Sequence, residues 1–282
     1  MYVFLDDRFV PAEEATVSVF DRGFLYGDGL FESIRAYAGR LFLWPAHRER
    51  LERGVQSLGI RLPLPAEEIQ DHTLELLRRN RVPDAFVRVA VSRGAGPRGY
   101  SPRGANQPTL VITAHPAPGL DAAPPAPWNL RTSRHRVPAG DPLTSVKTAS
   151  KLLNVIARAE AEDAGANEAL LLNNHGHIAE AAAANIFWFE GGTLCTPGLE
   201  QGALAGITRG FVMETARQLG WTLQETARGP EALHASDGVF LTVSTLGLVA
   251  VDRLDDLPLR SDARLEILRS SHRDAVLCSL SH

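Results

Sequence analysis

Residues 145–161 read SVKTASKLLNVIARAEA and hold both lysines of the chain, Lys147 and Lys151, among 29 basic residues. An amine nucleophile must be able to lose its proton, which lysine can do and arginine cannot. Apolar residues at helical spacing predict a helix over 148–164. Lys147 lies between an apolar stretch and this helix, where desolvation would favour the free amine. An exposed lysine at a helix start is the alternative, and Lys151 could serve equally well.

The segment EALLLNNHGHIAEAAAANIFW, residues 168–188, offers a carboxylate between two predicted strands. Four alanines follow Glu180 and leave room for a group to approach it closely. A carboxylate held against a pyridinium nitrogen would keep that nitrogen protonated. A solvated turn residue is the alternative.

A third segment, TPGLEQGALAGITR at 196–209, leads into a helix predicted over 207–219. Free N–H groups, the helix dipole and a hydroxyl at Ile207 and Thr208 suit a phosphate. Ser244 and Thr245 add two hydroxyls at a predicted strand end. Arg50, on a helix predicted from Pro45, could add a bidentate contact. An ordinary helix start and a surface arginine are the alternatives.

The N-terminal part of the chain mixes short strands with helices. Strands are predicted at 2–5, 9–10 and 17–20, a hairpin around 38–39, helices from Pro45 to Gly59 and from Pro65 to Asn80, and further strands at FVRVAVSRG and PTLVITAH. Prolines then concentrate between residues 115 and 129 and predict an interdomain linker at 116–128. We therefore predict domains at 1–115 and 129–282, with an α+β fold class.

Composition restricts the classes of function. The 282 residues are 44% hydrophobic and 22% charged, with a net charge of -4 and a pI near 6.1. This balance predicts no attraction to nucleic acid or anionic lipid. Two cysteines and no long apolar run predict a cytoplasmic protein without a disulfide framework or membrane span. No GxxxxGK[ST], GxSxG, HExxH or CxxC motif occurs, so no metal site is predicted.

Four stretches together resemble the class IV (fold-type IV) aminotransferase family over nearly the whole chain. They are the lysine, glutamate and GIT segments quoted above, and DRGFLYGDGLFESIR at 21–35 followed by HRERL at 47–51. One such stretch would be weak, but four in family order and spacing are specific. The resemblance implies pyridoxal 5′-phosphate as cofactor, a small N-terminal α+β domain and a larger, barrel-like C-terminal domain. Family members are usually homodimers, with a loop from one subunit reaching the other's site.

The resemblance also implies roles for individual residues. Lys147 would form the Schiff base with the cofactor and shuttle the proton between substrate and cofactor. Glu180 would pair with the pyridine nitrogen, and the phosphate would be held by Arg50, Ile207, Thr208 and Ser244. The substrate-binding candidates are Phe31, Arg98, Tyr100 and Thr245.

The branch of the family is less clearly marked. Branched-chain aminotransferases usually carry a tyrosine five residues after the lysine, where this chain has Leu152. Arg98 and Tyr100, in SRGAGPRGY, resemble the carboxylate trap of D-amino-acid aminotransferases. RGYS, AANIFW and STLGLVAV also resemble 4-amino-4-deoxychorismate lyases, although Phe31-Glu32-Ser33 resembles the aminotransferases.

We therefore expect amino transfer between an amino acid and a 2-oxo acid, with a D-amino acid favoured over a branched-chain L-amino acid. The lyase, which forms 4-aminobenzoate and pyruvate, is the alternative. A catalytically silent binding or scaffold protein is disfavoured, because every cofactor position has a competent residue.

Overall fold

The computed structural model describes residues 1–281 and divides the chain into two compact units. The first unit contains Met1–Ala122, Val146–Lys151 and the chain from Val276 onward. The second contains Ala123–Ser145 and Leu152–Ala275. The short segment that carries Lys147 therefore belongs to the first unit, although the chain on both sides of it belongs to the second.

The first unit is built on one antiparallel sheet. Its strands are β1 (Tyr2–Leu5), β2 (Arg8–Pro11), β3 (Gly29–Tyr37), β4 (Arg40–Leu41), β5 (Ala85–Ser92) and β6 (Thr109–Pro116). They lie in the order β2-β1-β6-β5-β3-β4. The β3–β4 hairpin turns at 38–39, as the sequence predicts.

Helices α1 (Arg22–Tyr26), α2 (Trp44–Leu58) and α3 (Ala66–Asn80) complete the first unit. Pro45 stands in the first turn of α2, and Gly59 ends the helix with a φ of 61°. Leucines and isoleucines of α2 and α3 pack on alternate residues of β3, β5 and β6, and together they form the core of this unit. Burial of these apolar side chains is the main stabilising contribution.

The second unit is a nine-stranded mixed sheet. Its strands are β7 (Trp128–Val137), β8 (Glu168–Asn173), β9 (Ile178–Ala181), β10 (Asn185–Glu190), β11 (Thr193–Pro197), β12 (Thr222–Thr226), β13 (Gly238–Val243), β14 (Gly247–Leu254) and β15 (Leu257–Pro258). The order is β12-β11-β10-β13-β14-β7-β8-β9, with β15 on β14. Strand β9 also contacts β10, so the sheet curves into a half-barrel.

Both faces of this sheet are buried. On β10, Ile186 and Trp188 belong to one apolar cluster, whereas Phe187 and Phe189 belong to another, because successive side chains of a strand point to opposite faces. The helices of the unit are α4 (Leu152–Asp163), α5 (Ile207–Gln218), α6 (Glu231–Ala235) and α7 (Arg264–Leu280), the last of which continues into the first unit. Helix α5 packs on the Phe187 face. The predicted α+β fold class is confirmed.

Between β6 and β7, residues 117–127 form neither helix nor strand. The first long stretch of the first unit ends in this proline-rich segment, at Ala122. Proline removes a backbone donor and fixes φ, which disfavours both kinds of element.

The strand predicted at 17–20 is wrong. Residues Val17 to Phe20 lead into a turn, in which the Ser18 hydroxyl accepts the Phe20 N–H at 3.1 Å and the Ser18 carbonyl accepts the Asp21 N–H at 2.9 Å. A local side-chain acceptor competes with strand pairing. Three apolar side chains of this turn remain exposed.

The helix predicted over 148–164 begins only at Leu152. The Ala149 N–H donates to the Gly29 carbonyl at 2.8 Å, and Thr148 bridges Leu30 of β3. These backbone groups are therefore committed to an extended pairing that a helix could not make.

Ile34, at the centre of β3, is fully buried, whereas Ile267 on α7 is 46% exposed. We expect Ile34→Ala to lower the free energy of unfolding by about 2–5 kcal/mol, because it leaves a cavity in the core. The matched change Ile267→Ala should cost less than about 0.5 kcal/mol. Urea titrations followed by circular dichroism measure both, and equal losses would contradict this packing.

Candidate active site

Lys147 is held against β3 by backbone hydrogen bonds. The Phe31 N–H donates to the Lys147 carbonyl at 3.0 Å, and the Lys147 Nζ lies 4.8 Å from the centroid of the Phe31 ring. The preceding Val146 is buried in the core of the same unit. The backbone of Lys147 is therefore fixed. Its side chain is half-buried and remains partly accessible to a ligand.

Phe31 contacts a second cation, which sequence reasoning missed. The Arg88 guanidinium carbon lies 3.6 Å from the centroid of the Phe31 ring. The alternation of β5 could have shown this, because Arg88 lies on the face of the strand away from the buried Val87 and Val89 and pairs with Ser33, two residues along β3 from Phe31. Removal from water lowers the pKa of Arg88.

Arg50 lies on α2 in a buried cluster with Glu32 and His47. Its Nε donates to Glu32 Oε1 at 2.7 Å, its Nη2 donates to Glu32 Oε2 at 2.6 Å, and His47 Nδ1 lies 2.7 Å from Glu32 Oε2. Burial by itself raises the pKa of Glu32, but the hydrogen bonds from Arg50 and His47 outweigh it, so that pKa is lowered. Burial lowers the pKa of His47. Glu32 therefore occupies two of the Arg50 nitrogens.

In the second unit, Glu180 lies on β9 and is half-buried. The Leu204 N–H donates to its Oε2 at 2.9 Å, and Asn185 Nδ2 lies 3.3 Å from the same oxygen. Donors of this kind favour the ionised carboxylate.

Helix α5 begins at the predicted place, with Gly206 as its N-terminal cap. The first N–H groups of a helix have no carbonyl partner within it. Thr208 Oγ1, in the first turn, lies 3.5 Å from Ser244 Oγ, in the turn between β13 and β14. Thr245 is half-buried in the same turn. The structure thus brings two predicted hydroxyls to one helix N-terminus.

Arg98 and Tyr100 lie on an exposed loop between β5 and β6. Arg22 of α1 holds this loop, because its two Nη atoms donate to the carbonyls of Gly99 at 2.8 Å and Tyr100 at 3.0 Å. The Tyr100 ring is 88% exposed and lies 5.5 Å from the ring of Tyr26. The loop has G-x-G-x-x-G spacing at 94–99, but a strand and not a helix follows it, so it lacks the context of a dinucleotide site.

Two negative findings hold for residues 1–281. No group of three or more His, Cys, Asp or Glu residues is placed to hold a metal ion. No helix in this range is long and apolar enough to cross a membrane.

Comparison with known proteins places these features in context. The family model described as Amino-transferase class IV matches residues 29–254. A Methanocaldococcus jannaschii protein, provisionally named as a branched-chain-amino-acid aminotransferase, is 38% identical over 90% of this chain and 88% of its own length. The aminodeoxychorismate lyase of Bacillus subtilis is 30% identical over 90% of this chain and 87% of its own length.

Two further proteins extend the comparison. The D-alanine aminotransferase of Listeria monocytogenes is 26% identical over 97% of this chain and 94% of its own. The crystal structure of a branched-chain aminotransferase from Thermoproteus uzoniensis with norvaline superposes with a TM-score of 0.90. It is 30% identical, over 99% of this chain and 95% of that chain.

His272 of α7 lies next to Gly247, where the turn between β13 and β14 ends. Its ring lies 5.4 Å from the ring of Phe211 on α5, and Gly247 packs against it. Burial lowers the pKa of His272 to about 4. Because the unfolded chain would bind this proton near pH 6.5, stability should fall as the pH falls from about 6.5 towards 4.

We expect this loss to be on the order of 2 kcal/mol and to disappear in His272→Phe, which keeps a ring against Phe211. Urea titrations at several pH values measure it. His234→Gln, at an exposed histidine, is the control and should keep the slope. An unchanged pH slope in His272→Phe would show that this ring does not titrate as described.

Proposed function

Since the chain belongs to the class IV aminotransferase family and is an enzyme that uses pyridoxal 5′-phosphate, we propose that it transfers an amino group between an aliphatic L-amino acid and a 2-oxo acid. One observation carries the proposal: Lys147, one of two lysines, presents its Nζ 4.8 Å from the Phe31 ring on a segment fixed to β3.

The residues present fit the cofactor. Helix α5 starts after Gly206, which as a glycine makes no side-chain capping hydrogen bond to its first N–H groups. These groups, with Thr208 and Ser244, suit a phosphate dianion. Glu180, which accepts a backbone N–H, suits a protonated ring nitrogen. We therefore propose that Ile207, Thr208, Ser244 and Arg50 hold the phosphate, and that Glu180 holds the ring nitrogen.

Lys147 carries the central chemistry in this proposal. When bound, the cofactor supplies an electron sink for the bonds at the substrate Cα. Lys147 would hold the cofactor through its amine and, once a substrate amine had displaced it, would move a proton to and from the substrate Cα. The Phe31 ring fixes the approach of this amine and attracts it while it is charged.

The choice of donor rests on similarity. Two relatives named as branched-chain aminotransferases are 38% and 30% identical to this chain, and others range from 23% to 32%, against 26% for the D-alanine aminotransferase. This supports an aliphatic L-amino acid over the D-amino acid that Arg98 and Tyr100 predict. D-amino-acid preference stays the competing prediction.

Four residues remain candidates for substrate binding. We propose that Phe31 packs on the substrate side chain and that the Thr245 hydroxyl donates a hydrogen bond to the substrate carboxylate. Arg98 can match a carboxylate with its guanidinium fork, and Tyr100 can add a hydroxyl. Both side chains are exposed and can therefore reach a ligand, while Arg22 fixes the backbone of their loop.

A second candidate function is 4-amino-4-deoxychorismate lysis. The Bacillus subtilis lyase is 30% identical, and Leu152 stands where branched-chain enzymes usually carry a tyrosine. The same lysine would serve that reaction, in which pyruvate leaves and 4-aminobenzoate remains.

The test is a parallel incubation of the holoenzyme with L-leucine, D-alanine and aminodeoxychorismate. We expect the fastest reaction with L-leucine, and only when a 2-oxo acid is present to accept the amino group. Lys147→Ala should abolish it, and Lys147→Arg should not restore it, because a guanidinium stays protonated. Lys151→Ala is the matched control and should keep it.

Other outcomes would contradict the proposal. Pyruvate formed without an acceptor, from aminodeoxychorismate alone, would identify the lyase. Faster transfer from D-alanine would restore the D-amino-acid prediction. Activity that survives Lys147→Ala but not Lys151→Ala would move the reactive amine by four residues.

We also propose that the enzyme is a homodimer in the cytoplasm. The turn before α1 and α1 itself expose Val17, Val19, Phe20, Phe24 and Leu25. Contiguous exposed apolar side chains of this kind mark interaction surfaces. Cys195 and Cys278 are both free thiols, which suits a reducing compartment.

Phe24, 74% exposed, tests the dimer. We expect Phe24→Arg to shift the protein from dimer to monomer in light scattering after size exclusion, because a charge would be buried unpaired. Leu257→Arg, at an exposed leucine of β15, should leave the dimer intact. A monomeric wild-type protein would refute the proposal.

A further inference from the structure

We propose that Asn185 is a positioning residue that fixes the separation between the Glu180 carboxylate and the N-terminus of helix α5. This rests on the proposed function, in which these two features hold the ring nitrogen and the phosphate of one cofactor. Asn185 itself would contact neither the ring nitrogen nor the phosphate of the cofactor.

Asn185 closes a small hydrogen-bonded ring. Its Nδ2 donates to the Leu204 carbonyl at 2.8 Å and lies 3.3 Å from Glu180 Oε2. The Leu204 N–H donates to the same Glu180 oxygen at 2.9 Å. The carboxylate is thus tied to both the amide side chain and the loop that leads into α5.

The other end of the same amide sets the start of the helix. Asn185 Oδ1 faces Gly206 so closely that a Cβ at that position would overlap it. Gly206 has a φ of -68°, which any residue can adopt, so contact with Asn185 and not backbone strain requires glycine here. The side chain therefore works as a spacer between Glu180 and Gly206.

The spacer stands on a rigid base. Asn185 is 7% exposed and begins β10, where it pairs with Thr242 of β13. Strand β13 ends at Val243, immediately before the Ser244 hydroxyl that approaches Thr208. The cofactor has a planar ring and a short phosphate arm, so its two anchors must keep one separation. Small errors in such positioning are costly.

The hypothesis that Asn185 is a spacer and the hypothesis that it only supports the sheet predict different ligand affinities for an Asn185 variant. Pyridoxamine 5′-phosphate and pyridoxamine bind without a bond to Lys147 and differ only in the phosphate. If the spacer sets the separation of the anchors, Asn185→Ala should lose much of the benefit of the phosphate, because both anchors cannot be satisfied at once. If Asn185 only supports the sheet, both ligands should weaken by the same factor.

The measurement is the dissociation constant of each ligand for cofactor-free protein, by fluorescence titration. We expect the affinity ratio of pyridoxamine 5′-phosphate to pyridoxamine to fall about tenfold in Asn185→Ala. Thr242→Val is the matched control: Thr242 pairs with Asn185, and its buried hydroxyl makes no hydrogen bond within the described residues. Its ratio should equal that of the wild type.

A second variant covers the case in which Asn185→Ala does not fold. Asn185→Asp keeps the shape but places a second carboxylate beside Glu180, which should make Glu180 harder to ionise. We expect the acid limb of the affinity profile for pyridoxamine 5′-phosphate to move to higher pH. An unmoved profile would overturn the proposal.

The two levels of inference fail in different ways. An unchanged affinity ratio in Asn185→Ala, with a wild type that binds pyridoxamine 5′-phosphate, would overturn the spacer alone. A wild type that binds neither ligand would overturn the proposed function.

Discussion

The backbone pairing of residues 147–149 with β3 is the interaction on which the position of Lys147 depends. Two hydrogen bonds, of 3.0 and 2.8 Å, attach this segment to Phe31 and Gly29. They place a lysine from the middle of the chain in the first unit, and they delay the start of α4 to Leu152. The amine thereby stands on a strand that is itself fixed by an apolar core, which is a more rigid support than a helix end.

Hydrogen-bonded clusters of polar side chains fix two further parts of the structure. In the first unit, the Glu32 carboxylate on β3 is hydrogen-bonded to Arg50 and His47 of α2, and these bonds orient the helix on the strand. In the second unit, Asn185 plays the comparable part for Glu180. Each cluster is costly to leave half-satisfied in a medium of low dielectric constant, so it admits one arrangement. The need to satisfy these hydrogen bonds therefore fixes the distances between the polar groups within each cluster.

The segment DRGFLYGD, residues 21–28, orders the neighbouring loops of the first unit. Asp21 accepts hydrogen bonds from Ser92 and Thr109, and Arg22 holds the loop that carries Arg98 and Tyr100. Its apolar side chains face outward. This segment, in which apolar and glycine residues are the majority, therefore owes its local structure to its charged residues, among them Asp21 and Arg22.

Local pattern determined much of this protein: the family, the β3–β4 hairpin, the bounds of α2 and α5, and the choice of Lys147 and Glu180 as candidates. Helix caps, turns and residue chemistry act within a few positions, so a sequence displays them. The tertiary structure alone decided that residues 148–151 are not helical, that Arg50 is paired with Glu32 and that Arg88 lies on Phe31. In most of these cases the deciding partner lies well over ten residues away, and no local pattern encodes which distant partner a backbone or charged group will find.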